Sequence, residues 1–520
     1  MINKVILPIM DDNLTIDYYV DSEGNRYSNF YELLNIDDEI QLFFHYYNLV
    51  IQNFIEWCKV NDVILKTQER QAIYTGNPSY DFMTVLIHKG GINGDPMIEK
   101  TRGNIKGHKF RFFNIKNFKR NITDFNITEA DLKDHQKFID YFIQEIVPQC
   151  KFKAMPNSIA SASRKILPDP YTFDNPKKRS MLIETQSSRI GGLYYAKKTG
   201  EVYKVLYDYD VSSMYPFQLL DKLYPDFSDV PLEVNRFVEI KQGKELALYH
   251  VIGIHAKLKR KHFATLWTQK EFRERMNRYG TCCDEVIDCW DIDPIDGWIT
   301  STDYEMLKRD YDIKQFIVDK TYLYCILVKG DKYFGKLKQF YDKKQASTGT
   351  IRELYKIIID SYSGSLAMRN FSTRRLNGLN DKKYDFYKPK DTQTPADIYA
   401  FMTAYARQYI SDLAMKAGYD KVVSIDTDGI FAKDRTLDAY CGEGLGKLRL
   451  DKIMYNARWF GQKQYEYQDE SGEWIPTIAG LPAYLYQHGK TEYVVPKLLF
   501  NKKTFKYEKK NTIFKIGEVI

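Results

Sequence analysis

Two acidic stretches and one basic helix face carry the chemistry this sequence could do. Asp426 and Asp428 flank Thr427 in "SIDTDGI", residues 424–430, and a period of two puts both carboxylates on one face of an extended segment. Two like charges so close repel and raise a carboxyl pKa unless a divalent cation neutralises them. Hard oxygen donors suit Mg²⁺, which keeps waters and takes substrate phosphates into its shell. Asp208 and Asp210 share a face of a second run, "LYDYDVSSMYPFQLL", residues 206–220. A carboxylate at the end of a buried strand is costly there without a partner. A lone Asp-x-Asp is weak, since it also fits a solvated turn, a cap or a nucleotide-sugar glycosyltransferase. Arg352, Lys356 and Asp360 recur every four residues and share one helix face. That face reads as salt-bridged surface or as a holder for a triphosphate, with Lys a point charge on phosphate oxygens.

The elements that must position these groups are partly legible. The spacing predicts a strand over 206–211 turning at Pro216, and a strand, tip and return strand over 420–433. Residues 332–365 read as two helices broken near Gly349, the second opening with a capping box from Thr350 to Glu353. "GGLYYAKKTGEVYKVLYDYD" reads as a hairpin leading into Asp210. Nearer the N-terminus, 14–30 predicts a hairpin around Gly24-Asn25, 40–59 an aromatic-rich helix, 109–118 a strand and 127–146 a helix. The Pro-rich stretch 156–188 reads as a connector, and the tail from 470 as short strands.

Composition sets the frame. The 520 residues, 44% hydrophobic with 41 Tyr, describe a globular chain with room for several domains. A formal charge of +7 permits a polyanionic partner without demanding one. The seven Cys are scattered, with neither a CxxC pair nor a disulfide pattern, which suits reduced thiols. No run is apolar enough for a membrane span or signal peptide. The expectation is a cytoplasmic monomer with no membrane partner.

The order of the motifs, acidic strand end, basic helix, acidic hairpin, resembles family B DNA polymerases. "DVSSMYP" (210–216) is similar to their first motif, "KIIIDSYSG" (356–364) to Lys-x-x-x-Asn-Ser-x-Tyr-Gly, and "SIDTDGI" to Asp-Thr-Asp-Ser. "FGQKQYEY" contains a Lys-x-Tyr motif, "TAYAR" (403–407) a Thr-x-x-Ala-Arg element, and "RIGG" (189–192) resembles Tyr-x-Gly-Gly with Arg in place of Tyr. These point to the small protein-primed bacteriophage branch, covering 185–520 well and 1–185 loosely.

The resemblance implies roles. Asp210 and Asp428 would hold two Mg²⁺ ions (Mn²⁺ as an alternative), with Asp426 supporting and Val211 adding a backbone carbonyl. Tyr215 would select deoxynucleotides, and Lys344 and Lys356 would bind the triphosphate. Lys463 and Tyr465 would hold the primer end, with Thr403 and Arg407 on the DNA backbone. Departures are Asp360 for Asn, Gly429 for Ser, and Ser363 where a Tyr is expected, Tyr362 standing one place early. One residue on a helix is about 100° of rotation, so Tyr362 cannot simply substitute.

By the same resemblance the fold is a multidomain α/β (α+β) right hand with an N-terminal ribonuclease H-like, exonuclease-type domain. The expected layout is an exonuclease-like domain at 1–185, palm at 186–221 and 395–470, fingers at 332–366 and thumb at 471–520. Insertions fall at 222–331, of the kind that contacts a terminal protein, and at 367–394, a basic hairpin around Asn377-Gly378. An exonuclease needs its own metal ligands. Asn77 and Asp81 fit one motif and Asp140 another, but Gln136 replaces a Tyr and the first strand lacks an Asp-x-Glu, Asp21 and Glu23 sitting in the hairpin turn. The expectation is a retained fold with weakened or lost cleavage. The function expected is DNA-directed DNA polymerisation on primer–template DNA with deoxynucleoside triphosphates, primed by a terminal protein. The rivals are a decayed polymerase acting as a DNA-binding replication factor, and a Mg²⁺-dependent glycosyltransferase, which leaves the other motifs unexplained.

Overall fold

The structure is a computed structural model. It describes the chain apart from residues 1, 12–13, 38, 61–63, 67–81, 90–95, 106–107, 119–126, 151–154, 157, 167–175, 189, 197–199, 260–262, 264–285, 288–296, 367–372, 377–383, 388–395, 462, 502–505 and 518–520. Asn77, Asp81, Arg189 and the Asn377-Gly378 tip therefore lie outside the described residues.

The N-terminal sheet is mixed. Ile2–Met10, Glu39–Phe44 and His108–Asn114 run parallel at its centre, with Ile16–Asp21 antiparallel on the first of them. Parallel strands covered on both faces read as continuous apolar runs, and Glu39–Phe44 is buried at every position after its first. Phe44 and Phe112 face the helix Tyr47–Val60 through Phe54, while Phe43 and Phe113 face Phe138 and Phe142 on the other side. The segment 40–59 is thus a strand followed by a helix, not one helix, because an aperiodic apolar run serves either element until its neighbours decide. The helix Glu129–Tyr141 opens with Thr128 and Asp131 capping each other.

A second, antiparallel sheet carries the acidic stretches. Its order is Trp474–Ile478, Gln464–Gln468, Leu448–Gly461, Glu201–Val211, Gly429–Ala432, Val422–Asp426 and Tyr194–Ala196. Tyr194–Ala196 pairs with Val422–Asp426 rather than with Glu201–Val211, so the expected hairpin over 191–210 does not form. The helix Ala396–Ala417 covers one face, packing Ala406, Ile410 and Ala414 on Tyr209, Val211 and Ile425. Phe431, Trp459 and Tyr465 fill the other.

Beside this sheet stand the helices Lys336–Gln345 and Gly349–Ser365, with Gly349 in the left-handed region at φ 54°. The second helix starts one residue before the expected box, capped at Thr348 without a side-chain bond, and the Thr350 hydroxyl donates instead to Asp134. Within 222–331, Leu246–Leu258 and Tyr311–Tyr324 form a long antiparallel pair carrying the helix Ser301–Asp310. Thr373–Leu376 and Tyr384–Tyr387 pair as a hairpin whose first strand joins Phe82–Lys89 of the N-terminal sheet. Glu492–Asn501 and Lys506–Lys515 close the chain. No helix among the described residues is long and apolar enough to cross a membrane.

Candidate active site

The central strand of the second sheet delivers Asp210 at its last turn of pleat, opposite Gly429 of the returning hairpin strand. That hairpin turns on two residues. Thr427 sits in the left-handed region at φ 63°, an outlying conformation for a β-branched side chain. The Asp428 amide donates to the Asp426 carbonyl at 2.7 Å, and the Thr427 amide to the Leu193 carbonyl at 2.9 Å. Val211, buried, donates its amide to the Asp428 carbonyl at 2.9 Å, tying strand end to turn.

Asp210 and Asp428 both stand above the usual carboxylate range. Burial, then the neighbouring Asp210, push the Asp428 carboxyl up to about 7. Burial also raises Asp210, against the Arg449 guanidinium 3.2 Å away and the Lys356 ammonium beyond it. Among the described residues no three His, Cys, Asp or Glu side chains gather into a ready metal cage. Two carboxylates whose charged forms are disfavoured nonetheless suit Mg²⁺, which is bound by one or two carboxylates with substrate phosphates completing its shell. Asp426 turns aside to the Lys463 ammonium at 3.5 Å. Asp208, which the motifs do not use, is buried and pushed up to about 7 by that burial, against Lys452 at 3.2 Å.

A basic face meets the acid pair. The Lys344 ammonium is buried and donates to the Ser213 hydroxyl at 2.9 Å. Its pKa is lowered, first by burial and then by Arg352, Lys356 and Arg449, with Asp360 opposing. Lys356 is exposed on the neighbouring helix, Gly349–Ser365, which also carries Arg352 and Asp360. Arg449 belongs to this group and escaped the motifs, because it lies on a strand with no pattern of its own. Tyr362 is buried against Phe334, ring centres 5.9 Å apart, and Ser363 is buried with its hydroxyl on the Ile359 carbonyl. The one-place shift therefore spends the Tyr on the core.

Tyr215 stands at the strand-to-helix bend, two residues past Ser213. Its hydroxyl is 2.9 Å from where a Cβ on Gly192 would lie, and the Thr427 methyl is 2.8 Å from the same point. Gly192 is what lets the three approach. Lys463, at φ 55°, and Tyr465, stacked on Trp459 at 4.9 Å, line a cavity of about 370 Å³ beside Asp426.

Thr403 and Arg407 are placed differently from the expectation. Both are fully buried. The Thr403 hydroxyl donates to the Tyr399 and Ala400 carbonyls, and Arg407 is spent on Asp303 and two main-chain carbonyls. Neither side chain has a face that a DNA backbone could touch.

Against the N-terminal sheet, Asp140 accepts from Gln136 at 2.9 Å, and Gln136 also bonds the main chain of Asn3 and Val5 and accepts from the Ser22 hydroxyl. The strand Ile2–Met10 carries no carboxylate. Asp21 ends its strand at the hairpin turn: it accepts from the Glu23 and Asn25 amides and from Lys4 and Tyr27, and although burial opposes them these bonds hold it down at about 2. A carboxyl lowered on folding stabilises above its unfolded pKa, so Asp21→Asn is expected to cost about 1–2 kcal/mol at pH 7. The difference should close as pH falls from 4 to 2, read as unfolding midpoints across that range.

No protein-family model matches the chain. A curated DNA polymerase of Streptococcus phage Cp-1 is 26% identical over 246 residues, which span 46% of this chain and less than half, 42%, of that relative. The phi29 DNA polymerase complexed with primer-template DNA matches with a TM-score of 0.71 over 99% of this chain and 100% of that one, at 15% identity. This is the phi29 DNA polymerase fold. The same polymerase with primer-template DNA and incoming nucleotide substrates matches at 0.68. The likeness read in the motifs, to family B polymerases of the small protein-primed phage branch, thus extends to a phage relative and to the fold of the whole chain.

Proposed function

We propose that this chain is a DNA-directed DNA polymerase that extends a 3′-hydroxyl with deoxynucleoside triphosphates and starts from a terminal protein. The observation that carries the reading is the Asp210–Asp428 pair, half-buried at one sheet end with both carboxyls raised, with Lys356 and Arg449 near Asp210 and Lys344 held on the adjoining Ser213. Its fold partners were solved with primer-template DNA and incoming nucleotides. In this reading the acidic sheet is the palm, 332–366 the fingers and 471–520 the thumb. The stretches 222–331 and 367–394 are the insertions, and 1–185 is the exonuclease-like domain.

Divalent Mg²⁺, or Mn²⁺, held by Asp210 and Asp428 would supply charge neutralisation at the primer hydroxyl and the leaving pyrophosphate. This chain's own residues do the rest. Lys344, fixed on Ser213, and Lys356 hold the triphosphate. The Tyr215 ring closes the space a 2′-hydroxyl would need. Lys463 and the Tyr465 ring hold the primer end in their cavity, and Asp426 keeps Lys463 in place.

The test is a 5′-labelled recessed primer–template with Mg²⁺ and the four deoxynucleotides. Extension is the expected result. Binding without extension would favour the decayed polymerase, or an enzyme that accepts only its protein primer, and adding a nuclease-free terminal-protein fraction would separate the two. Without nucleotides the strand is expected to stay full length, and Asp140→Ala to change nothing, because no carboxylate of Ile2–Met10 stands ready to share a metal with Asp140. Shortening that Asp140→Ala abolishes would restore the exonuclease.

A further inference from the structure

Arg407 and Asp303 form an ion pair with both side chains fully buried, Nη2 to Oδ1 2.6 Å. A buried charge pair contributes little net stability and is costly to break, so its value lies in the geometry it specifies. Every strong contact here is directional. The other Asp303 oxygen accepts from the Thr300 amide and hydroxyl, capping the helix Ser301–Asp310. Arg407 Nη1 donates to the Ile190 carbonyl at 2.9 Å and the Gly191 carbonyl at 2.7 Å. A second strut, Arg309 to Asp412, joins the same two helices.

The peptide so gripped is the one that touches the active site. Its far end, the Leu193 carbonyl, accepts the Thr427 amide. Its middle, Gly192, lies against the Tyr215 hydroxyl and Thr427, whose neighbour is Asp428. A continuous run of fixed contacts therefore joins Ser301–Asp310, inside the segment 222–331, to the Asp428 turn and the sugar-facing tyrosine.

We infer that Arg407 is a positioning residue that sets the seat of Tyr215 through the Gly192 peptide, and with it the rejection of ribonucleotides. The inference rests on the polymerase reading and adds to it a brace from the insertion to the sugar gate. Arg407→Lys keeps the charge facing Asp303 but replaces a planar fork, which holds the carboxylate with Nη2 and both carbonyls with Nη1, by one ammonium on a shorter stem. A misplacement of about 1 Å at a reacting centre costs up to about 10²-fold. The kcat/KM ratio of deoxy- over ribonucleotide, measured by primer extension, is expected to fall about tenfold in Arg407→Lys, with the Kd for primer–template DNA unchanged. Asp303→Asn, which keeps the shape, is expected to lower the ratio in the same direction, and it carries the test if Arg407→Lys does not fold. An unchanged ratio in whichever variant folds overturns the inference, as does a loss confined to DNA affinity. A wild-type protein that extends nothing instead sinks the polymerase reading itself, a separate outcome read before either variant.

Discussion

An Asp428→Asn variant is expected to lose primer extension by about three orders of magnitude or more, while its metal-free form becomes more heat-stable than the wild type. Both effects come from one environment. Asp428 is half-buried beside Asp210, and its carboxyl sits at about 7, far above the usual carboxylate range. A carboxyl raised on folding destabilises wherever it must ionise. The cost is absent below about pH 4, grows as pH rises through 7 and is complete above it. Asn has no charge to confine, so the gap in unfolding midpoint should open between pH 4 and pH 8, reaching on the order of 2 kcal/mol. Mg²⁺ should reverse the order by binding the wild-type acid pair and stabilising only the folded form. Thermal unfolding with and without Mg²⁺, beside extension assays, checks all of this. Undiminished extension would put the chemistry elsewhere. A variant less stable than the wild type at pH 8 would mean that Asp428 is held by partners rather than strained by Asp210.

What the sequence shows of the site is what local geometry decides. The period of two exposed Asp210 and the Asp426–Asp428 tip, because strand alternation and a two-residue turn need no distant partner. The break at Gly349 was legible for the same reason. What escaped depends on contacts far apart in the chain. Glu39–Phe44 becomes a strand only by parallel pairing with Ile2–Met10 and His108–Asn114. Tyr194–Ala196 finds its partner more than two hundred residues on, at Val422–Asp426. Arg407 reads as a contact to the DNA backbone until Asp303 and the Ile190 and Gly191 carbonyls are seen around it. Arg449 gains meaning only from the Asp210 it faces across two strands.

Gly192→Ala is expected to cut extension by about 10²-fold in a protein that still folds. The new Cβ would stand 2.8 Å from the Thr427 methyl, 2.9 Å from the Tyr215 hydroxyl and 3.1 Å from the Thr427 Cα. Side chains can swing aside, but the Cα belongs to a turn already held at φ 63° and bonded to the Leu193 carbonyl. That turn must shift, and Asp428 shifts with it. Overpacking of this kind costs about 1–3 kcal/mol, which a chain of this size survives. Gly191→Ala supplies the control, since a Cβ there meets nothing within 4 Å and φ is not left-handed. It should extend at close to the wild-type rate. Adding Tyr215→Phe to Gly192→Ala removes one of the three contacts and leaves both to Thr427, so it should recover only part of the loss. If the hydroxyl alone set the clash, the double variant would regain full activity, and the Asp428 turn would not be what Gly192 protects.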